Sequence, residues 1–378
     1  MMKKIMIRLC VAIFLLVGSI ALYQYGQVDR PALVNTDGRI FQRGIVTDVI
    51  KDNLQENGSR IGDQIVHVKF KDKENTGHVV EANCPNGLLF GAVCKPGMDV
   101  VVISSKMGSI NLHTIYSMDR SMPIFLFIAL FLLLLCLIGG KKGIKSAVAL
   151  IFTFIWFLFL FFPMLLHGIQ PIVAAILTSF LILVTTIYLI NGITIKALSA
   201  GIASIGGIFT AGLTAILFGK ATALSGYNVS NIESLLFVAQ NMPIDVGQIL
   251  FAGILFASLG AVMDIAMDVA SAVDELQKKN KNLSPKDLFE SGLRVGRDVM
   301  GTMSTTLILA FFGGSLGVWV LNYAYNLPYL QLLNSNAVGI ELMQGLAGSL
   351  GVILTVPLTA ACSAWLPEYV KKREKLFL

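Results

Sequence analysis

Charged residues are scarce in this chain. Asp, Glu, Lys and Arg make up 14% of its 378 residues, whereas soluble domains carry about 25%. Hydrophobic residues make up 55%, and the mean hydropathy is +0.74. So little charge cannot cover a surface that faces water on all sides, which excludes an ordinary soluble globular protein. The composition predicts a polytopic membrane protein in contact with a lipid bilayer.

Motifs for the common catalytic chemistries are also missing. The nearest approach to a phosphate-binding loop, Gly219-Lys220-Ala221, lacks both the earlier glycine and the following Ser or Thr. There is no His-Glu-x-x-His and no Gly-x-Ser-x-Gly motif. The four histidines lack the mutual spacing of metal ligands. We therefore expect no catalytic residue, no metal and no cofactor, and the protein is not predicted to be an enzyme.

The formal net charge of +6 does not indicate nucleic-acid binding. Lys and Arg lie at the ends of apolar runs, and no basic patch is interleaved with aromatic residues. Nearly all of those that flank the apolar runs fall in one set of tails and loops, whereas the short loops of the opposite side contain only Lys220. The positive-inside rule then predicts that both termini are cytoplasmic.

Eight apolar stretches are long enough to cross a hydrocarbon core of about 30 Å as helices. The first resembles a signal peptide with a candidate cleavage signal at Ser19-Ile20-Ala21; we favour a retained anchor helix at residues 1–25, with cleavage as the alternative. The prediction is an α-helical polytopic membrane protein of about eight transmembrane helices, seven of which form a core at residues 122–378 with a cytoplasmic tail. The stretches are Ile5–Tyr23, Met122–Ile138, Ser146–Phe162, Ile172–Ile190, Leu198–Phe218, Gly247–Val269, Val299–Ala324 and Ile340–Trp365.

The polar region at residues 26–121 is typical of β structure. Its β-branched runs at 44–50, 64–70, 78–82 and 98–103 are separated by clusters of Gly, Asn and Pro. We expect an extracytoplasmic, β-rich domain, a small barrel or sandwich of OB-like kind. It would serve as a rigid cap or as a docking site for a protein partner, with ligand binding as the alternative. Cys84 and Cys94 lie in it, and a disulfide between them is permitted outside the cytoplasm but is not established by spacing alone.

The segment from Gly247 to Glu275 carries carboxylates into a membrane span. Asp264, Asp268 and Glu275 follow one another at i, i+4 and i+11, which places them on one helical face. An ionised carboxylate in hydrocarbon costs several kcal/mol, so it is rare without a function or a partner. Asp268 and Glu275 fall near the cytoplasmic interface, whereas Asp264 lies deeper and is the strongest candidate.

Polar residues of the next span extend this candidate site. Arg297 and Asp298 immediately precede the span that begins at Val299, and Thr302 and Thr305 lie inside it. We expect them to share one polar region of the inner leaflet with the two aspartates. The alternative is structural, since carboxylates at a helix end pair readily with nearby Arg and Lys.

Pro357 interrupts the last span at a depth comparable to Asp264. Proline removes a backbone donor, and a broken helix beside carboxylates is how many transporters build cation sites. Elsewhere, small residues at Ala203, Gly207 and Ala211, and the recurring Ser-Leu-Gly at 258–260, 315–317 and 349–351, predict closely packed helix faces. The segment 235–239 predicts an interfacial or re-entrant helix.

These parts resemble the YibE/F-like family of bacterial membrane proteins. The resemblance rests on their order and on three motifs. They are Leu259-Gly-Ala-Val-Met-Asp-Ile-Ala-Met-Asp268 with Ser271-Ala-Val-Asp-Glu275, Gly296-Arg-Asp-Val-Met-Gly-Thr-Met303, and Tyr116-Ser-Met-Asp-Arg120. The resemblance implies a multi-pass protein of the bacterial cell membrane and implies no activity.

Two functions remain open at this stage. The first is a permease or ion-coupled transporter of an unknown solute, with Asp264 as proton or cation carrier, Asp268 as its partner and Arg297 as a counter-charge. The second is a non-transporting scaffold whose exported domain docks a protein partner.

Overall fold

A computed structural model of the chain describes residues 23–28, 38–56, 58–72, 77–85, 93–107, 110–229, 231–280 and 282–374. Two compact units divide between Pro31 and Ala32 and again between Leu134 and Leu135. The expected anchor at Ile5–Tyr23 lies outside the described residues, apart from Tyr23 itself.

The unit from Ala32 to Leu134 contains a closed five-stranded barrel, which confirms the predicted β-rich domain. Its strand order is β1-β2-β3-β5-β4, antiparallel except where β3 meets β5 at Asn83 and Thr114. The strands are β1 (Arg39–Lys51), β2 (Gln64–Phe70), β3 (Val79–Cys84), β4 (Asp99–Met107) and β5 (Ile110–Met118).

Alternation along the strands fills the barrel. Val66, Val68 and Phe70 of β2 point inward at every second position and are almost completely buried. Cys84 and Cys94 join this core as thiols in contact with each other. A hydrogen bond with the Cys84 thiol, and then burial, raise the pKa of Cys94. The structure thus brings the two cysteines together, and the disulfide stays a prediction.

Buried and bridging polar groups fix the ends of the strands. The Gln64 side chain accepts a hydrogen bond from the Cys94 backbone N–H at 2.9 Å and donates one to Asp52 at 2.8 Å. Hydrogen bonds from Arg60 and Gln64 lower the pKa of the Asp52 carboxyl group. The chain segment that carries Cys94 is therefore held to the barrel by specific donors and acceptors.

The barrel leads into the first long helix through two residues only. Asp119 accepts hydrogen bonds from the backbone and the hydroxyl group of Ser121, at 2.9 and 2.5 Å, and forms an ion pair with Arg43 at 3.3 Å. These bonds, with that of the Ser121 hydroxyl as the largest cause, lower the pKa of Asp119.

Helices make up the rest of the described chain. They are α1 (Ser121–Trp156), a π-helical turn (Phe157–Phe161), α2 (Phe162–Leu166), α3 (Pro171–Asn191), α4 (Ile195–Thr222), a 3₁₀ turn (Gly226–Asn228), α5 (Ile232–Asn241), α6 (Val246–Lys279), α7 (Pro285–Gly314), α8 (Leu316–Ala324), α9 (Tyr329–Leu333) and α10 (Asn336–Glu374). Helix α5, which no buried residue anchors, falls where the interfacial or re-entrant helix is predicted.

Five helical segments in the described ranges are long and apolar enough to span a membrane, or six if one bent pair counts as a span. The predicted second and third spans both fall within Ser121–Leu166, whose 46 residues would measure about 69 Å as one straight helix, more than twice the hydrocarbon thickness. Gly140 interrupts this run with φ 52° and ψ −133°, a conformation that glycine adopts readily. The break lies beside the lysines of the predicted cytoplasmic loop.

The predicted span Val299–Ala324 is not one helix, which corrects the sequence prediction. It is divided at Ser315 into α7 and α8, whose axes differ by 67°. The consecutive residues Gly313, Gly314 and Ser315 explain the break, because glycine weakens a helix interior and serine caps helix ends.

The centre of the helical unit is a close packing of α4, α6 and α10. Ala203, Gly207 and Ala211 are buried, as the small-residue pattern predicts. A Cβ atom on Gly207 would lie 2.7 Å from Val262 Cγ1 of α6 and 3.1 Å from the Gly351 carbonyl oxygen of α10. Only glycine lets the three backbones approach so closely.

Candidate ion and solute site

The predicted carboxylates share one face of α6, and that face is exposed. Asp264, Asp268 and Glu275 are all exposed, as are Gly253 and Gly260 further along the same helix. The i, i+4, i+11 spacing therefore places the three carboxylates on one helical face, as predicted.

Helix α7 packs against a different side of α6. A Cβ atom on Gly292 would lie 2.8 Å from Val273 Cγ2, and one on Gly296 would lie 3.2 Å from Val269 Cγ2. At 3.6 residues per turn, Asp264 is about 180° around the helix from Val273. The two helices do pack together, as predicted, but the carboxylates point away from their contact.

The basic partner predicted for these carboxylates is not beside them. Arg297 and Asp298 are exposed on α7, and no ion pair within the described ranges joins Arg297 to Asp264 or Asp268. Thr302 and Thr305 donate their hydroxyl hydrogens to carbonyl oxygens of their own helix at 2.8 and 2.9 Å. The structure therefore does not bring the predicted inner-leaflet set together, and its role in transport stays a prediction.

Pro357 does not break its helix. Helix α10 continues through it, and the hydroxyl groups of Thr355 and Thr359 donate to the carbonyl oxygens of Gly351 and Thr355 at 2.7 and 2.8 Å. The discontinuous helix that the sequence places at Pro357 is found instead at Ser315.

A carboxylate that the sequence analysis did not select lies at this break. The Glu341 carboxyl group, in the second turn of α10, is within hydrogen-bonding contact of the Ser315 side chain. Its Oε2 atom is buried and has no hydrogen-bonding partner. Between Asp298 and Glu368, Glu341 is the only charged residue in the sequence.

Further polar atoms without partners lie on the same face of α8. Ser315, Trp319 and Asn322 follow one another at i, i+4 and i+7, and the Trp319 Nε1 and Asn322 Nδ2 atoms are buried without hydrogen bonds. Trp319 also stacks on Phe312, with ring centroids 5.1 Å apart. Buried donors without partners are uncommon in native proteins and mark places where a ligand or water can bind.

A cavity of about 420 Å³ adjoins these residues. Trp319 and Asn322 line it together with Phe312, Tyr323 and Asn326. Its volume lies in the range of small-molecule sites. The described residues contain no group of three or more His, Cys, Asp or Glu side chains arranged to hold a metal ion.

The chain matches a known protein family. A family model described as "YibE/F-like protein" matches residues 127–368, more than half of the chain. The chain belongs to the YibE/F-like family. Comparisons with curated proteins and with solved structures found no match. The family match and the apolar helices together make this a membrane protein.

The family segment contains both candidate sites. It spans the exposed carboxylates of α6, the break at Ser315 and Glu341, whereas the five strands precede it. One sequence signal could have drawn attention to the break: two adjacent glycines inside an expected span, followed by a span whose only internal charge is Glu341.

Proposed function

We propose that this YibE/F-like protein is a permease or ion-coupled transporter of a small solute, embedded in the bacterial cell membrane with both termini cytoplasmic. The observation that carries the proposal is the broken helix at Ser315 with the Glu341 carboxyl group beside it. Discontinuous membrane helices expose backbone carbonyls and helix ends to a bound ion or solute, which a continuous helix cannot do. The buried Oε2 atom of Glu341, which has no hydrogen-bonding partner among the described residues, supports a binding role.

The solute is best matched by the chemistry of the adjoining cavity. Trp319 and Asn322 offer N–H donors, and Phe312 and Tyr323 offer aromatic surface. A small molecule with hydrogen-bond acceptors and a flat or apolar portion would satisfy both. The cavity volume of about 420 Å³ accommodates a molecule the size of an amino acid or a nucleobase.

A thermal-shift screen of the purified protein tests the proposal. Ions, amino acids, peptides and nucleotides would be added separately, since a ligand that binds the folded state raises its stability by RT ln(1 + [L]/Kd). A hit is then tested for uptake into proteoliposomes. We expect Trp319→Phe, which keeps the ring but removes the N–H donor, to weaken binding of that solute. Absence of stabilisation by any class, together with absence of uptake, would contradict a permease.

The role of the α6 carboxylates is tested in the same uptake assay with a matched pair of variants. We expect Asp264→Asn to abolish uptake driven by an ion gradient. Asp274→Asn is the control, because Asp274 lies on the same helix but is paired with Lys278 at 2.6 Å near its cytoplasmic end. Equal uptake by the two variants would remove Asp264 from the mechanism.

A scaffold remains the second candidate, because the barrel exposes aromatic surface. Phe41 and Tyr116 form an edge-to-face pair with ring centroids 5.6 Å apart, and they are 54% and 55% exposed. Exposed aromatic clusters often mark protein interaction sites, whereas a domain that acts only as a rigid cap has no need of them. If the barrel docks a partner, Phe41→Ser should release a protein that co-purifies with the wild type while solute-dependent stabilisation is unchanged.

A further inference from the structure

The Glu341 carboxyl group is the acceptor left unmet at the α7–α8 break. The Ser315 hydroxyl donates towards the carbonyl oxygens of Phe311, at 3.1 Å, and Phe312, at 3.4 Å, and the Phe311 oxygen also accepts from the Ser315 backbone N–H at 3.1 Å. The same hydroxyl is the contact of the Glu341 carboxyl group. Its single hydrogen cannot serve the carboxylate and these carbonyls at once, and Glu341 Oε2 has no partner among the described residues.

The carboxyl group at the break has no basic side chain to balance it. The C-terminal end of α7 and the N-terminal end of α8 meet at Ser315 with opposite partial charges, so the charge to be balanced is that of Glu341. No Lys or Arg occurs in the sequence between Asp298 and Glu368, and no ion pair among the described residues involves Glu341.

The atoms around the break define the class of ligand. Carboxylate, hydroxyl and carbonyl oxygens are the donors that hard cations prefer, and no sulfur or imidazole is among these contacts. A single carboxylate balances one positive charge. A divalent cation would retain one uncompensated positive charge in a partly buried site that has no second carboxylate, which is unfavourable.

We propose that Glu341, Ser315 and the carbonyl end of α7 form a binding site for one alkali-metal cation, sodium or potassium. The inference deepens the proposed transport function by naming the coupling ion, and it rests on that function only for its physiological role. A cation bound there would balance the negative charge of the Glu341 carboxylate and give its Oε2 atom a partner. The neighbouring Trp319 and Asn322 donors remain for the solute.

Cation-dependent stability of the full-length protein in detergent is the direct test. The thermal midpoint would be measured in NaCl, in KCl and in choline chloride at constant ionic strength, with ²²Na⁺ binding as a second measurement. We expect saturable stabilisation by at least one alkali cation over choline. Glu341→Gln should abolish it, and Ser315→Ala, which removes one neutral oxygen ligand, should weaken apparent affinity roughly tenfold.

A matched control lies on the same helix. Glu368→Gln makes the identical change at an exposed carboxylate near the other end of α10, and it should keep the cation response of the wild type. Unchanged thermal midpoints in choline would show that the variants fold. If Glu341→Gln fails to fold, the Ser315→Ala result decides.

Three results would overturn the inference: no saturable response of the wild type to either cation, a response that survives Glu341→Gln, or an equal loss in Glu368→Gln. Proteoliposome uptake separates this outcome from failure of the transport proposal. Solute uptake that is lost in Glu341→Gln without alkali-cation binding would leave the permease standing and contradict an alkali cation as the coupling ion. Cation binding without any solute uptake would leave the site standing and contradict the permease.

Discussion

Replacing Gly207 by alanine tests whether the α4–α6–α10 contact determines the stability of the helical core. The added Cβ atom would lie 1.9 Å from Thr355 Oγ1, 2.7 Å from Val262 Cγ1 and 3.1 Å from the Gly351 carbonyl oxygen. The threonine hydroxyl can rotate away only by giving up its 2.7 Å hydrogen bond to Gly351. The valine and the α10 backbone must then shift as well.

The expected loss follows from these contacts. Overpacking a well-packed core costs about 1–3 kcal/mol, and the hydrogen bond contributes about 1 kcal/mol. Because one of the three contacts is with the backbone, we expect a value near the top of that range, about 3 kcal/mol. At about 2–4 °C per kcal/mol, the thermal midpoint would fall by roughly 6–12 °C.

The assay is thermal unfolding in detergent, followed by tryptophan fluorescence. Gly260→Ala is the matched control, because a Cβ atom on Gly260 would meet nothing within 4 Å. It should not lower the midpoint. Adding Thr355→Ala to Gly207→Ala should restore part of the loss, since it removes the closest clash. A midpoint for Gly207→Ala within about 1 °C of the control would refute the close approach of these helices.

Three further predictions concern the turn at Gly140 and the barrel. Gly140→Ala should destabilise by about 1–3 kcal/mol, because φ 52° with ψ −133° is strained for alanine, whereas Gly139→Ala should not; thermal midpoints would compare them. Hydrogen bonds from Ser121 lower the pKa of Asp119 in the folded protein. The free energy that the Asp119 carboxylate adds to folding is therefore complete above the pKa of the unfolded chain, about 3.9, and is lost as pH falls through the lower pKa of the folded state. Acid titration of Asp119→Asn should therefore lose that part of the pH dependence. An unchanged acid limb would contradict a stabilising role for the bonds between Asp119 and Ser121. Burial lowers the pKa of His113 from 6.5, so the barrel should lose stability as pH falls below that value, where the unfolded chain takes up the proton first. His113→Gln should flatten the thermal-midpoint curve below about pH 6.5, and a curve identical to that of the wild type would contradict this role of His113.

Local patterns explain what could be predicted from the sequence. Alternating β-branched residues identified the barrel because inward and outward positions repeat every two residues. Small residues at i, i+4 and i+8 identified the packed face of α4 because such a stripe allows backbones to approach. Both signals lie within one element and need no knowledge of its neighbours.

The candidate site depended on relations between elements, which explains the differences. The spacing of Asp264 and Asp268 shows that they share a face, but the orientation of that face depends on where Val269 and Val273 pack. The break at Ser315 occurs in an apolar stretch whose hydropathy is that of a continuous span. The break becomes a candidate site because Glu341 contacts Ser315, and Glu341 belongs to a helix that begins 21 residues after Ser315.

The short connection between the barrel and α1 has a mechanical consequence. Strand β5 ends at Met118 and the helix begins at Ser121, and Asp119 in the connection is held by Arg43 of β1. With two residues and an ion pair at the joint, the barrel and the first turns of α1 should rotate as one stiff lever. A force applied to the barrel would then reach these first turns as torque.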